Sequence, residues 1–99
     1  ESTLYCHYLF SKPLINKASE SGIRLSRQIR DHDYDEKLVT FVCENVIHDW
    51  SGIRDLDDKL LDFDASLLYD VFNNHPELFI NVLRFASRID NFKVVTNDG

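Results

Sequence analysis

The chain has 99 residues, a formal net charge of -6, 43% hydrophobic residues and 28% charged residues. This length fits one domain, and the composition excludes a wholly disordered chain. The three glycines and two prolines are too few for a turn-rich β-sandwich or barrel, so they favour helices. An acidic chain lacks the clustered cations that bind phosphate, which argues against nucleic-acid or anionic-membrane partners and leaves a basic protein partner open.

The cysteines and the apolar runs indicate a compartment. Cys6 and Cys43 do not make a secreted disulfide framework, and Cys43 lies in a helical apolar pattern typical of a buried free thiol. No apolar run approaches the roughly 20 residues that span a bilayer, and no signal-peptide pattern opens the chain. The sequence therefore predicts a reducing cytoplasm. Because the chain starts at Glu1 and contains no Met, it also predicts a processed N-terminus or a longer protein.

The N-terminal segment is rich in aromatic residues without clean alternation. Thr3 to Phe10 predicts an edge strand or an extended arm, the latter covering residues 1–12. The segment holds more apolar side chains than one strand needs, so packing on its own domain and contact with another chain both stay open. The candidate partner-binding residues here are Tyr5, Tyr8 and Phe10. A short helix over about Pro13–Ser19 should end before Gly22.

The central pattern is helical from residue 34 to residue 50. Leu38, Val42 and Val46 recur every four residues beside a second apolar row, and together they predict a wide core-facing stripe. The acidic residues just before it fail the Gly and Glu positions of a calcium loop and fit a helix N-terminus, with Asp31 or Asp33 as the cap. Trp50 is expected either to pack in the core or to be a hot spot for partner binding, and Gly52 is expected to end the helix.

The last part of the chain predicts an acidic connector and two helices. Four apolar residues of the connector are expected to pack on the core: Leu56, Leu60, Leu61 and Phe63. Helices are predicted over residues 65–73, capped by Asp64, and 76–90, with Pro76 at the first position. Phe92 and Val94 should close over the core, before a polar tail at residues 97–99. The fold class predicted is mainly α: residues 1–99 form a small single-domain bundle of about four helices with an extended N-terminal segment.

The sequence carries little sign of enzyme chemistry. The four histidines show no His-x-x-x-His spacing, and no Cys-x-x-Cys, glycine-rich phosphate loop or Gly-x-Ser-x-Gly elbow occurs. His48 and Asp49 are adjacent, but neighbouring helical residues point about 100° apart. We therefore expect no enzyme activity, no catalytic residue, no metal and no cofactor, with His48 a surface residue or a cation at a helix C-terminus.

The helix-to-turn segment resembles the tail assembly chaperones of long-tailed, lambda-like bacteriophages. In that family an amphipathic helix ends in Asp-Trp-x-Gly, an acidic loop and an aromatic follow, and Pro-x-Leu opens a final helix. The resemblance covers roughly residues 36–92 and departs in the loop, where many relatives carry a Gly and this chain has Asp57-Asp58-Lys59. The matching residues are Trp50, Gly52, Asp55, Phe63, Pro76, Leu78 and Phe92.

The resemblance implies a role in virion morphogenesis. Such chaperones bind the long helical tape measure protein, keep it soluble and help recruit the major tail protein, before being lost from the finished tail. It implies a homo-oligomer as one arrangement, a location in the host bacterial cytoplasm and absence from the mature virion. An apolar module surface could cover helical stripes of the client by helix-in-groove contacts.

Two other classes of function stay open. An acidic inhibitor or antitoxin-like protein would present a negative face to a basic enzyme through Asp31, Asp33, Asp35, Asp55, Asp57 and Asp58. The other class is a metal-dependent enzyme. Salt-tolerant binding to an apolar helical client would favour the chaperone over the inhibitor.

Overall fold

The computed structural model describes residues 2–92, which form a small mixed α/β fold of high helical content. The elements, in chain order, are β1 Thr3–Cys6, α1 Lys12–Glu20, α2 Leu25–Arg30, α3 Glu36–Phe41, a π-helix at Val42–Val46, β2 Ile47–Ser51, α4 Ala65–Asn74, α5 Pro76–Ala86 and a 3-10 turn at Ile89–Asn91. The predicted mainly α bundle of about four helices is therefore wrong, because β1 and β2 pair as an antiparallel sheet. The predictions for Val94 and for the tail at 97–99 lie outside the described residues.

The predicted helix over residues 34–50 is the main error. Its last four residues belong to strand β2, in which Ile47 and Trp50 are both buried although they are three residues apart. A regular strand would turn those two side chains to opposite faces. Here Cys6 pairs with Ile47 and Tyr5 with Asp49, so His48 is an extra residue in a β-bulge. The bulge gives a strand the three-residue apolar spacing of a helix, which explains the wrong prediction.

The switch from helix to strand occurs through the π-helix. The backbone N–H of Ile47 donates to the carbonyl of Val42, a bond one residue longer than an α-helical bond. The Asn45 side-chain amide donates to the Phe41 carbonyl at 3.2 Å. These bonds satisfy carbonyls that the widened turn would otherwise leave without partners. The β-branched run at Val46-Ile47 then enters the extended conformation that suits such residues.

The sequence predicted the starts of the helices more accurately than their ends. The predicted cap Asp64 is confirmed, because its carboxylate accepts from the N–H groups of Ser66 at 2.8 Å and Leu67 at 3.4 Å. Pro76 lies in the first turn of α5, as predicted. The cap of α3 is Asp35 rather than Asp31 or Asp33, and it accepts from the Leu38 N–H at 2.9 Å. Helix α5 ends at Ala86, four residues before the predicted end.

The buried side chains form one cluster to which every α-helix and β2 contribute. Within it, Phe72 of α4 and Phe79 of α5 pack edge to face at 5.1 Å between ring centroids. Leu9, between β1 and α1, is fully buried, and its N–H donates to the carbonyl of Ala86 at 2.8 Å. The N-terminal segment is therefore tied to the end of α5. Cys43 is a free buried thiol, as predicted, and burial beside Glu44 raises its pKa to about 12.

The connector packs on the core through two of the four predicted residues. Residues 53–61 form a small hairpin closed by an antiparallel bridge between Arg54 and Leu60. Leu56 at its tip is 106% exposed and Leu60 is 63% exposed, so both predictions of burial are wrong. Leu61 and Phe63 do pack against the core. The reason is local, since the polar bonds of the hairpin fix its tip away from the helices.

Gly22 ends α1 in the left-handed region, with a φ of +78°. Its N–H donates to Ser19 and the N–H of Ile23 donates to Ala18, the two bonds of a Schellman motif. We expect Gly22→Ala to lower the free energy of unfolding by about 1–2 kcal/mol, because a left-handed L-residue is strained even though an added Cβ meets nothing within 4 Å. Urea denaturation measures the change. The exposed helical substitution Ser19→Ala is the control, and equal effects of the two substitutions would contradict the prediction.

Candidate functional site

Four aromatic rings form a continuous row on the surface. The ring centroids of Phe10 and Tyr8 lie 6.2 Å apart, those of Tyr8 and Phe92 5.8 Å, and those of Phe92 and Phe85 5.7 Å. Phe85 is 51% exposed, and the other three rings are half-buried. Rings at these separations and tilts attract one another through their quadrupoles. We call these four residues the aromatic row.

Backbone contacts fix the aromatic row in place. The bond from Leu9 N–H to the Ala86 carbonyl holds Tyr8 and Phe10 beside the end of α5. At the other end of the row, the side-chain amide of Asn91 donates to the Phe85 carbonyl at 2.9 Å, and the Phe92 N–H donates to Ile89. The row is therefore preorganised, so binding a partner would carry a smaller entropic cost for ordering these side chains.

The surroundings of the aromatic row are apolar on one side and basic on the other. Ile89, which follows Phe85 by four residues, is 50% exposed and is a further apolar side chain at the surface. A shallow recess of about 270 Å³ is lined by Phe85 together with Arg84 and Arg88. In a chain with a net charge of -6, this basic border is unusual. The surface fits an apolar partner segment that carries acidic residues at its flanks.

A groove of about 660 Å³ adjoins the aromatic row at Tyr8. Its floor is apolar, with Leu14, Ile47 and Phe63, and its polar lining includes the stacked imidazoles of His7 and His48, 4.4 Å apart. Further lining residues are Ser11, Pro13, Lys17, Glu44 and Asn45. A groove of this size is within the range of about 300–1,000 Å³ that proteins use for ligands. Tyr8 thus belongs to both features, which form one continuous surface.

The predicted partner-binding residues are placed in two different settings. Tyr8 and Phe10 are in the aromatic row, and Tyr5 is 44% exposed on the outer face of the sheet, with its hydroxyl 3.4 Å from the Ser51 Oγ. Trp50 is only 6% exposed, and its indole N–H donates to the Leu61 carbonyl at 2.8 Å. The Trp50 ring also meets Phe63 edge to face at 5.2 Å. Trp50 therefore packs within its own domain.

Most of the residues that resemble the tail assembly chaperone pattern have structural roles in this fold. Gly52 follows β2 with a φ of +74° and ends a strand, not the helix that was predicted. Asp55 closes the hairpin, because its Oδ1 accepts from Asp57 at 2.8 Å and Lys59 at 3.0 Å. Leu78 packs against the core, and Phe92 is in the aromatic row. Asp58 in this loop has a φ of +63°, a conformation that glycine adopts without strain.

One residue of the aromatic row, Phe85, was not identified from the sequence. Phe85 was not included in the apolar stripe of the last helix, and it is indeed off the buried face that contains Phe79 and Leu83. An aromatic residue outside the helical apolar stripe is the signal that could have identified it. The stacking of His7 on His48 had no sequence signal, because it depends on the bulge.

The acidic residues proposed for an inhibitor are largely engaged within the chain. Asp35 caps α3, Asp55 closes the hairpin, and Asp31 lies near Arg27 and Arg30 at 3.8 Å and 3.5 Å. Asp58 pairs with Arg54 at 3.8 Å. Only Asp33 and Asp57 of the six have carboxylates without such a contact within residues 2–92. No observation therefore favours the inhibitor.

Between residues 2 and 92, no group of three or more His, Cys, Asp or Glu side chains is arranged to hold a metal ion. No helix in that range is long and apolar enough to cross a membrane.

Comparison with known proteins gives one family. A protein-family model described as YdaY prophage protein matches residues 11–98, which include α1 to α5, β2 and the aromatic residues Phe85 and Phe92. No curated protein and no solved structure matches the chain. The match covers far more than half of the sequence and indicates a phage-derived protein. The chain belongs to the YdaY prophage protein family.

Proposed function

We propose that this prophage protein is a non-catalytic chaperone that binds an apolar helical segment of another phage protein through the aromatic row. The aromatic row carries the proposal, because it is a preorganised apolar surface that residues 2–92 leave partly exposed. Aromatic side chains provide large contact areas at low entropic cost and are enriched in binding hot spots. The groove at Tyr8 extends this surface in the way that helix-in-groove recognition requires.

The client that we propose is the tape measure protein of the same phage. The resemblance of residues 36–92 to tail assembly chaperones supports this choice, and the prophage origin is compatible with it. In this role the chain keeps the tape measure protein soluble in the host bacterial cytoplasm, helps recruit the major tail protein and leaves before the virion is complete. Since Arg84 and Arg88 border the row, client segments with acidic flanks should bind best.

Co-expression tests the proposal. The tape measure protein should move from inclusion bodies to the soluble fraction when this chain is present, and a complex should elute on size exclusion at moderate salt. Phe85→Asp should reduce the recovered complex at least about tenfold, because it places a charge in the middle of an apolar contact. Leu67→Asp is the matched control, since Leu67 is 40% exposed on α4 and is outside the aromatic row.

Circular dichroism of both variants shows whether they stay folded. An unchanged insoluble fraction without a complex would rule out the tape measure protein as the client. Equal loss of complex with Phe85→Asp and Leu67→Asp, with both proteins folded, would instead show that the aromatic row is not the binding surface.

A further inference from the structure

The tip of the 53–61 hairpin displays a leucine that the fold holds in solvent. Leu56 is 106% exposed, yet the loop around it is closed by two hydrogen bonds. The backbone N–H groups of Asp57 and Lys59 both donate to the Asp55 carboxylate. The Arg54 guanidinium also donates to the Asp58 carbonyl at 2.9 Å. At the open end of the hairpin, the Trp50 indole N–H donates to the Leu61 carbonyl. Because this many polar bonds keep the loop in one shape, the exposed leucine is preorganised for contact.

The charges around Leu56 are acidic on balance, because three aspartates outnumber the cations of Arg54 and Lys59. Asp57 and Asp58 follow it directly, and the Asp57 carboxylate forms no ion pair with any residue between 2 and 92. An apolar side chain bordered by carboxylates fits an apolar recess bordered by cations. We call Asp55 to Asp58 the hairpin tip.

The chain itself contains such a recess between α1 and α2. Its apolar lining is Ile15, which is 43% exposed, together with the buried Ile23 and Leu25. Its border carries Arg24 and Arg27, and the Arg27 guanidinium lies 3.8 Å from the Asp31 carboxylate. The volume is about 320 Å³, which is ample for one aliphatic side chain. The guanidinium of Arg24 forms no ion pair within the described range, so it is available to a partner.

We propose that the hairpin tip of one copy inserts Leu56 into the α1–α2 recess of a second copy, with Asp57 facing Arg24. Complementary charge selects this occupant, because the acidic tip is repelled by most of an acidic surface and attracted to the arginine border. The contact is small, which places it among weak and transient interfaces. It joins two different surface patches, so it closes into a ring or pair only if the rotation between copies allows it. This self-association does not depend on the chaperone function proposed above.

Sedimentation velocity of the full chain over a wide concentration range at low salt tests the contact. The wild-type protein should show a rising weight-average mass, and added salt should reduce it because surface charges are screened. Leu56→Ser should weaken association at least about tenfold, which corresponds to about 1.4 kcal/mol. The matched control Leu67→Ser removes an exposed leucine elsewhere and should leave association unchanged.

Charge reversal gives the sharper test. Asp57→Arg and Arg24→Asp should each be monomeric alone, since each variant brings like charges together. An equal mixture of the two should associate again, because every tip then finds a recess of opposite charge on the other variant. A wild-type protein that stays monomeric throughout overturns the proposal, as does a mixture that stays monomeric. Association that is lost in Phe85→Asp but kept in Leu56→Ser also overturns it, because the aromatic row would then be the self-contact.

Discussion

Trp50→Ala is expected to lower the free energy of unfolding by about 3–5 kcal/mol, the range for truncating a buried aromatic side chain. The indole is 6% exposed, packs edge to face on Phe63 and donates to the Leu61 carbonyl. Truncation therefore opens a cavity, removes an aromatic contact and leaves that carbonyl without its donor. Total stabilities of single domains are about 5–15 kcal/mol, so this one change can remove much of the folded population.

Trp50→Phe separates packing from the hydrogen bond. Phenylalanine keeps most of the apolar contact and loses the N–H, so we expect a loss of only about 1–2 kcal/mol. Urea denaturation followed by far-ultraviolet circular dichroism measures both variants without relying on the lost tryptophan. If Trp50→Ala were as stable as the wild type, the burial of Trp50 in its own domain would be contradicted. Because the indole faces the interior, Trp50→Phe should leave client binding intact.

Leu9→Ala is expected to cost about 2–5 kcal/mol, the range for truncating a buried leucine. Leu9 is fully buried, although it lies in the segment that the sequence left open as an arm. Its backbone N–H also bonds to Ala86, so loosening the side chain weakens the tie between the N-terminal segment and α5. Tyr8 and Phe10 flank Leu9, so the aromatic row should lose order along with the stability.

The chain offers a matched control for this leucine. Leu56→Ala removes the same atoms from a residue that is 106% exposed, and exposed substitutions usually change stability by about 0.5 kcal/mol or less. Chemical denaturation gives the two free energies, and amide exchange at Tyr8 and Phe10 reports local order in the row. Similar losses for Leu9→Ala and Leu56→Ala would show that the N-terminal segment is not part of the core.

The sequence predicted elements whose causes are local. Asp64 and Pro76 start their helices because a side-chain acceptor and a missing N–H satisfy a helix N-terminus wherever it occurs. Gly22 ends α1 because its conformation is left-handed. The apolar stripe of residues 38–46 predicted a buried helical face. This signal is also local, since its four-residue period reflects one face of a helix.

The candidate site was predicted in part. Tyr8 and Phe10 were selected from their aromatic excess, and the structure places both in the aromatic row. Phe85 and the basic border of Arg84 and Arg88 were not selected, because their importance comes from the proximity of the end of α5 to the N-terminal turn. The contacts of Leu9 with Ala86 and of Tyr8 with Phe92 join residues 77 and 84 positions apart, and such distant contacts leave no periodic trace in the sequence.

The sequence by itself determined an acidic composition, helix starts at capping residues, a core-facing stripe and an aromatic N-terminal segment. Only the tertiary structure decided that residues 47–51 form a strand, that Trp50 is interior and that Leu56 is held in solvent. The physical reason is that β1 pairs with β2 across more than 40 residues, and that pairing stabilises an extended conformation where local propensity and spacing also fit a helix. The bulge at His48 produces the same apolar spacing as a helix, so sequence periodicity could not separate the two structures.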